Sequence, residues 1–333
     1  MSKTYRAAVV GCGGMSHSHA SQYHRLENVE LAACADIRQE AMDAYEERYG
    51  VKAHYTDYQK MLKNEGIDLV SVCTWIPLHG PIAIAAAEAG AKGIICEKPM
   101  SDTLKEADEM IAAADANGTK LAVGHQLRFH APYTGVAALL EGGAVGDVTH
   151  IHGHCRGGDL MDNATHTVDL MRWFAGDAPA EWIMGQINRG GAGERFGIPI
   201  VQDSIGYWKH NNGIWGFIEA GSVSRGGYHH IFIYGTDGEM ELSRPGGPAI
   251  RYRSPQTGGE WETPHTEGNS APVADLIDAI ENDRDPRSSG RNGRAVLELL
   301  LGIMESSRLH RRLSCPLELD HYPLQTMLED GDV

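Results

Sequence analysis

The chain has 333 residues, of which 42% are hydrophobic and 22% are charged, and its formal net charge is −16. This length exceeds one ordinary hydrophobic core and predicts two domains, while the acidic charge and the lack of a basic stripe argue against nucleic acid as a partner. No apolar run approaches membrane-spanning length, and residues 1–6 lead directly into a strand-like segment, so we expect neither a signal peptide nor a membrane partner.

The six cysteines favour a reducing compartment. None of them forms a C-x-x-C pair, and Cys34, Cys73 and Cys96 lie inside apolar runs, where cysteine behaves as a small hydrophobic residue. We therefore expect a cytoplasmic protein without disulfides.

A glycine-rich turn follows the first apolar strand. In the run G-C-G-G-M-S at residues 11–16, Gly11 and Gly13 match the first two positions of a dinucleotide-binding G-x-G-x-x-G/A motif, and Ser16 supplies the small third residue. The first glycine permits the tight turn, the second lets a pyrophosphate approach the backbone, and the helix predicted over residues 15–26 offers free N–H groups to the anion. The expected cofactor-binding residues of this turn are Gly11, Gly13, Gly14 and Met15.

An aspartate ends the second predicted strand, residues 30–35. Asp36 lies about 20 residues past Gly13, where an acidic side chain binds the ribose hydroxyls of NAD. Its charge would repel the 2′-phosphate of NADP, but Arg38 stands two residues further on, so NADP is disfavoured rather than excluded. Asp36 and Arg38 are thus expected cofactor contacts, and the alternative is that Asp36 caps a helix over residues 37–49.

Strands and helices continue to alternate through the first part of the chain. Further strands are predicted at residues 69–73, 93–96 and 120–123, with helices at 79–89 and 103–117. This alternation predicts an α/β fold, a doubly wound parallel Rossmann sheet over residues 1–123. The strand 93–96 ends in Glu97, Lys98 and Pro99, and ligands bind outside the carboxyl ends of such strands. Lys98 is therefore expected at the edge of a crevice, although a solvated strand end is the plain alternative.

The pattern changes in residues 124–333, which we assign to a second domain of α+β type with an open, largely antiparallel sheet. Short turns such as residues 211–213 and 236–238 favour antiparallel hairpins. Strands are predicted at 148–156, 181–187, 204–209, 214–220, 229–234 and 239–242, helices at 162–175, 271–281 and 292–312, and a long loop at 244–269.

Three histidines alternate along the strand 148–156. His150, His152 and His154 share one face with Arg156. Such a row could bind a metal ion, but we interpret it as the polar face of a half-solvated sheet. No metal site is expected.

The helix predicted over residues 162–175 contains D-x-x-x-H-x-x-D. Spacings of four and three place Asp162, His166 and Asp169 on one helical face. A histidine beside a carboxylate is a plausible general base whose ring the carboxylate orients. In the alternative, Asp162 caps the helix, Asp169 is solvated and His166 packs in the interior.

Taken together and in this order, several motifs resemble the glucose–fructose oxidoreductase/inositol dehydrogenase (Gfo/Idh/MocA) family, over essentially the whole chain. They are Gly11-Cys12-Gly13, Asp36, the segment from Thr74 to His79, Glu97-Lys98-Pro99, Arg128-Phe129, the D-x-x-x-H-x-x-D run and the tail at residues 316–327.

The resemblance implies an N-terminal Rossmann domain and a C-terminal α/β domain whose open sheet packs between subunits in a homodimer or homotetramer. It implies NAD(H) or NADP(H) as cofactor and a sugar or polyol as substrate. By position, Lys98 lies next to the nicotinamide and the reacting oxygen, and Asp162 and His166 fall on the catalytic carboxylate and histidine. The resemblance adds Thr74, His79, Glu97 and Lys98 as cofactor contacts and Lys98, Arg128, Asp162 and His166 as substrate contacts.

The sequence departs from the family pattern after Thr74. Trp75 and Ile76 stand where proline and asparagine are frequent, His125 replaces a frequent asparagine or tyrosine, and residues 163–165 replace a glycine-containing run. These changes leave the expected fold intact and leave the substrate open.

The preferred hypothesis is NAD-dependent oxidation of a secondary hydroxyl of a sugar, cyclitol or related polyol. In this reaction His166 accepts the proton, Asp162 orients the imidazole and Lys98 stabilises the developing oxyanion. A second hypothesis is an NAD-dependent glycoside hydrolase, in which bound NAD acts catalytically through oxidation, elimination, water addition and reduction. A third is a non-catalytic dinucleotide sensor, which needs neither Lys98 nor His166.

Overall fold

The computed structural model describes residues 4–266 and 270–333, which form two compact units. The strands are β1 (Tyr5–Val10), β2 (Val29–Ala35), β3 (Ala53–Tyr55), β4 (Leu69–Val72), β5 (Gly93–Cys96), β6 (Lys120–Val123), β7 (Val148–Arg156), β8 (Ala180–Asn188), β9 (Glu194–Arg195), β10 (Ile198–Pro199), β11 (Asp203–His210), β12 (Trp215–Gly221), β13 (His230–Gly235), β14 (Glu239–Leu242), β15 (Ile250–Arg253) and β16 (Leu313–Ser314). The helices are α1 (Ser16–Arg25), α2 (Gln39–Tyr49), α3 (Tyr58–Glu65), α4 (His79–Glu88), α5 (Leu104–Asn117), α6 (Ala131–Glu141), α7 (Ala164–Phe174), α8 (Pro272–Glu281), α9 (Gly290–Leu309) and α10 (Pro323–Asp330).

The first unit is built on a six-stranded parallel sheet in the order β3-β2-β1-β4-β5-β6. Strands β4 and β5 are buried along their whole length, as short apolar runs in a parallel sheet should be. The predicted doubly wound parallel sheet is confirmed. Its strand order reverses between β1 and β4, and the carboxyl ends of these strands mark the crevice where such sheets bind ligands.

A late segment of the chain returns to this first unit. Helix α8 buries Val273, Leu276 and Ile277 in the core that also contains Tyr5. A Cβ on Gly93 would lie 2.9 Å from the Leu276 side chain, so this glycine lets the helix lie directly on β5. The predicted division at residue 123 is corrected, because residues 124–126 and 270–293 belong to the first unit.

The second unit contains an eight-stranded mixed sheet in the order β15-β14-β13-β7-β12-β11-β8-β16. Only the β7–β12 pair is parallel among the pairs described in this sheet, which confirms the largely antiparallel prediction. Gly153, Gly206 and Gly185 form a row across β7, β11 and β8 on one face. A Cβ on Gly153 would lie 2.5 Å from Met171 of α7, and a Cβ on Gly206 would lie 2.3 Å from Ile303 of α9. These glycines let α7 and α9 cover one face of the sheet and leave the alternate residues on the other.

Several elements were not predicted. They are β3, α3, most of α6, β9, β10, β16, α10 and the strand β15 inside the expected loop 244–269, of which residues 267–269 lie outside the described residues. Within residues 4–266 and 270–333, no helix has the length and hydrophobicity needed to cross a bilayer.

An enclosed charge cluster holds α7 to the segment that precedes α6. Arg128 is 1% exposed, and its guanidinium donates to both carboxylate oxygens of Asp169 at 2.9 Å. The same guanidinium donates to Asp177 at 2.7 and 2.8 Å. Burial alone would lower the pKa of Arg128, but the two carboxylates raise it overall, so the cation is retained. This enclosure ties Arg128 to α7 and Asp177, and the substrate contact implied for it by the resemblance stays a prediction.

The cluster predicts a stability difference between its two carboxylates. Asp169→Asn should lower the free energy of unfolding by about 3–5 kcal/mol, because it removes the charge partner of a buried guanidinium. Asp177→Asn is the matched control, since the Asp177 side chain is 28% exposed, and it should cost about 1 kcal/mol or less. Urea denaturation followed by circular dichroism measures both, and equal losses would contradict this ranking.

Candidate active site

The glycine turn after β1 is shaped by one close contact and one open side. Gly11 has φ +88°, and a Cβ there would lie 2.6 Å from the Cys73 carbonyl oxygen, so no other residue fits. Around Gly13 and Gly14, in contrast, an added Cβ would meet no atom within 4 Å. The turn is therefore anchored at its first glycine and leaves open backbone at the next two.

Helix α1 begins directly after this turn. The Ser16 hydroxyl donates to the Gly13 carbonyl at 2.5 Å and accepts from the Tyr45 hydroxyl of α2 at 2.6 Å. Ser16 is fully buried, which meets the motif's requirement for a small third residue, while Met15 is half exposed beside it. A helix N-terminus next to open glycine backbone fits the pyrophosphate of a dinucleotide.

Asp36 lies at the carboxyl end of β2 and faces this turn. Its Oδ2 accepts the Cys12 backbone N–H at 2.7 Å, and its Oδ1 accepts the Arg38 N–H at 2.9 Å. Burial works to raise the pKa of Asp36, but hydrogen bonds from Arg38 and Cys12 outweigh it and lower the pKa, which keeps the carboxylate ionised. The helix-cap alternative is wrong, because α2 begins at Gln39 and its N-cap residue is Arg38.

His79 joins two loops that follow β4 and β5. Its Nδ1 lies 2.9 Å from the Pro99 carbonyl and its Nε2 lies 3.1 Å from the Thr74 carbonyl. Burial lowers the pKa of His79, so the ring is neutral and only one of these nitrogens carries a proton to donate. With 1% exposure, His79 positions the loops of Thr74 and Lys98.

Glu97 stands in a buried polar network that sequence reasoning missed. Its Oε1 lies 2.8 Å from Nε2 of His19 on α1, and Nδ1 of His19 lies 3.0 Å from the Ser71 hydroxyl of β4. The Tyr23 hydroxyl lies 2.9 Å from the same Ser71 oxygen. Burial would raise the pKa of Glu97, but His19 and Lys98 lower it overall, so the carboxylate is charged. The sequence signal was available, because His19 and Tyr23 are four apart on the sheet-facing side of α1.

Lys98 is half-buried and directly follows this network. Its backbone N–H donates to Glu97 Oε2 at 3.2 Å, which ties the start of the loop to the buried carboxylate. Together, the turn at Gly11–Gly14, Asp36, Thr74, Glu97 and Lys98 all follow strands at the carboxyl edge of the first sheet.

In the second unit the predicted helical face is not formed. Helix α7 begins at Ala164, so Asp162 lies in the preceding turn. That turn is held by Asp159, which accepts the Met161 and Asp162 N–H groups at 2.9 and 3.0 Å, while Asp169 points instead to the Arg128 cluster. Asp159 was missed from the sequence, although an aspartate three residues before Asp162 is a common turn signal.

Asp162 is paired with an arginine from a neighbouring hairpin. Its Oδ2 lies 2.9 Å from the guanidinium of Arg195 on β9, whose side chain is half exposed. The hairpin β9–β10 is held in turn by Tyr322, whose hydroxyl donates to the Pro199 carbonyl at 2.9 Å. The second unit thus presents an anchored cation beside the start of α7.

His166 lies in the first turn of α7 and is 6% exposed. Its ring stands 5.7 Å from the His229 ring at 83°. His229 has φ 53°, which is uncommon for a residue with a side chain, and its Nδ1 lies 2.8 Å from the Thr167 hydroxyl. Backbone strain of this kind is frequent at functional sites. His229 and Thr167 therefore join His166, Asp162 and Arg195 in the candidate site of the second unit.

Comparison with known proteins assigns both units. Residues 5–125 match a family model described as oxidoreductase family, NAD-binding Rossmann fold. Residues 146–315 match a model described as oxidoreductase family, C-terminal alpha/beta domain.

Curated relatives cover nearly the whole chain. A D-apiose dehydrogenase from Paraburkholderia graminis is 24% identical over 99% of this chain and 95% of its own length. A myo-inositol 2-dehydrogenase from Thermotoga maritima is 23% identical over 94% of this chain and 98% of its own.

Solved structures show the same fold. An aldose-aldose oxidoreductase from Caulobacter crescentus, complexed with glycerol, has a TM-score of 0.80 at 22% identity, covering 94% of this chain and 100% of its own. The WlbA dehydrogenase from Bordetella pertussis, in complex with NADH and UDP-GlcNAcA, has a TM-score of 0.77 at 24% identity, covering 95% and 100%.

The position of Asp36 predicts the nucleotide preference. NAD should bind more tightly than NADP, and Asp36→Ser should narrow the preference by roughly ten- to a hundredfold, because it removes charge-assisted hydrogen bonds and the repulsion of a 2′-phosphate. Fluorescence titration with both nucleotides measures this.

Asp36→Asn keeps the side-chain size and removes only the charge. Comparing it with Asp36→Ser separates the effect of the charge from the effect of the side chain's size. An unaltered protein that bound NADP as tightly as NAD would refute the assignment of Asp36.

Proposed function

Because the chain belongs to the Gfo/Idh/MocA oxidoreductase family, we propose that it is an NAD-dependent dehydrogenase acting on a secondary hydroxyl of a sugar, cyclitol or related polyol. The observation that carries this proposal is Lys98, which follows the buried Glu97–His19 pair at the end of β5. A lysine whose backbone is held in this way at a strand end suits a developing oxyanion. The relatives named D-apiose dehydrogenase and myo-inositol 2-dehydrogenase support a polyhydroxylated substrate.

The first unit would hold the dinucleotide. The open backbone of Gly13 and Gly14 and the N-terminus of α1 suit its pyrophosphate, and the Asp36 carboxylate suits its adenosine ribose. When bound, NAD supplies the hydride acceptor of its nicotinamide ring.

Two side chains would manage the substrate's proton and charge. A neutral His166 accepts the proton of the reacting hydroxyl, and contact with His229 limits the rotation of its ring. The Lys98 ammonium stabilises the alkoxide by a charge-assisted hydrogen bond. Both acts lower the barrier for removing hydride from the same carbon.

Asp162 and Arg195 would set the local field around His166. The carboxylate of Asp162 favours an imidazolium once the proton has been taken, and it holds the guanidinium of Arg195. Arg195 is half exposed and offers N–H donors to substrate oxygens.

We also propose that the protein is cytoplasmic and forms a homodimer or homotetramer. All six cysteines are free, as in a reducing compartment. The uncovered face of the second sheet exposes Trp215 and Phe217, and Ile205 is 52% exposed on the same face. Exposed apolar side chains of this kind favour contact between subunits.

His166→Ala should reduce turnover roughly 10²–10⁴-fold, the usual contribution of a positioned acid or base, while NAD affinity changes little. Lys98→Ala should be similarly slow and bind NAD slightly less tightly. The assay incubates the protein with NAD and a panel of sugars, polyols and glycosides and follows both NADH and released product.

Retention of more than about a tenth of the rate in His166→Ala would return that histidine to a packing role. Release of product from a glycoside without net formation of NADH would mean that the protein is a glycoside hydrolase and not a dehydrogenase.

A further inference from the structure

The uncovered face of the second sheet carries a cluster that the proposed reaction does not use. His152 and His154 are on β7, and Glu219 is on β12, directly opposite His154 in the parallel register. The three side chains point to the same side of the sheet because residues two apart on a strand share a face. The sequence showed only the histidine row, and the carboxylate comes from a strand about 65 residues later in the chain.

The atoms that could ligate are close together. His152 Nε2 lies 3.5 Å from Glu219 Oε1, and His154 Nδ1 lies 3.3 Å from Glu219 Oε2. One ligand atom from each of the three residues lies within 4.8 Å of the other two. At zinc–ligand lengths of about 2.0–2.1 Å, neighbouring atoms of a tetrahedral site lie about 3.3–3.4 Å apart. The two contacts involve different oxygens of Glu219, and the three ligand atoms lie close enough together for small side-chain rotations to bring them around one ion.

Both contacts to Glu219 are longer than an ordinary hydrogen bond, and His154 Nδ1 also lies 3.5 Å from the Ser224 hydroxyl. Nitrogen–oxygen hydrogen bonds are usually about 2.7–3.2 Å long, and both contacts exceed that range.

The surroundings hold the rings in place. Phe217 packs edge-on to His152 at 6.2 Å, and Phe232 packs edge-on to His154 at 6.0 Å. The His152 and Glu219 side chains are about one-third exposed.

We propose that His152, His154 and Glu219 form a binding site for a divalent transition-metal ion of the zinc class. Two imidazoles and one carboxylate suit zinc, with cobalt as its spectroscopic substitute. The proposed reaction does not use this site, which lies on the sheet face opposite the one that α7 covers and would fix β7 against β12.

The test uses the full chain without an affinity tag, after treatment with EDTA. Cobalt(II) titration should give the visible absorption of a tetrahedral complex at about one ion per chain, and zinc should displace it. His152→Gln and Glu219→Gln should each weaken binding roughly a hundredfold or more, because each removes a direct ligand.

His150→Gln is the matched control. It lies two residues away on the same strand face, but its ring stacks on Tyr234 at 4.3 Å and it is outside the cluster. It should bind cobalt as the unaltered chain does. Equal loss in His150→Gln, or no stoichiometric binding by the unaltered chain, would overturn the proposal. Dehydrogenase turnover should survive EDTA, and its loss with zinc rescue would overturn the separation from catalysis.

Discussion

The first unit depends on keeping one carboxylate charged inside the protein. Glu97 is 8% exposed, and an isolated buried carboxylate would cost several kcal/mol. His19 from α1 offsets that cost, and Ser71 orients His19 from β4. Side chains from α1, β4 and the end of β5 are thereby fixed near the point where the strand order reverses. The conformation of the loop beginning at Lys98 follows from this arrangement.

The second unit depends on a steric constraint instead. Gly153, Gly206 and Gly185 lack side chains on one face of the sheet, which lets α7 and α9 lie close to it. The position of α7 sets where His166 lies, so glycines far from any reacting group determine the site's geometry. The same alternation sends every second residue to the opposite face. The histidine cluster therefore lies on the face opposite these glycines.

Much of the fold could be predicted from the sequence, because apolar blocks between glycine and proline mark buried strands. The strand Gly93–Cys96 was located to the residue in this way. Helix α3 was missed because its sequence, YQKMLKNE, is mostly polar and has only a short apolar stripe. The apolar side of α8 was visible, but a helical pattern does not say which sheet the helix covers. That is decided by the lack of a side chain at Gly93.

The candidate site, like the fold, could be predicted only in part. Motif spacing predicted Gly11, Asp36 and Lys98 at strand ends, because a strand end is a local property of the chain. The partners of these residues could not be predicted, since the His19–Glu97 and Asp162–Arg195 pairs join residues far apart in sequence. The supposed helical face at Asp162 failed for a local reason, because Asp159 binds two N–H groups and forms a turn where regular spacing predicted a helix.

The return of α8 to the first sheet bears on how the chain is made. Once residues 1–126 have emerged from the ribosome, all six strands of the first sheet are available, yet β5 still lacks the helix that covers it. The apolar surface around Gly93 stays open until α8, residues 272–281, has emerged. The nucleotide-binding unit therefore completes its folding only after most of the second unit has been synthesised, unlike units that fold in the order in which they are made. During that interval, the exposed surface is a natural place for a chaperone to bind.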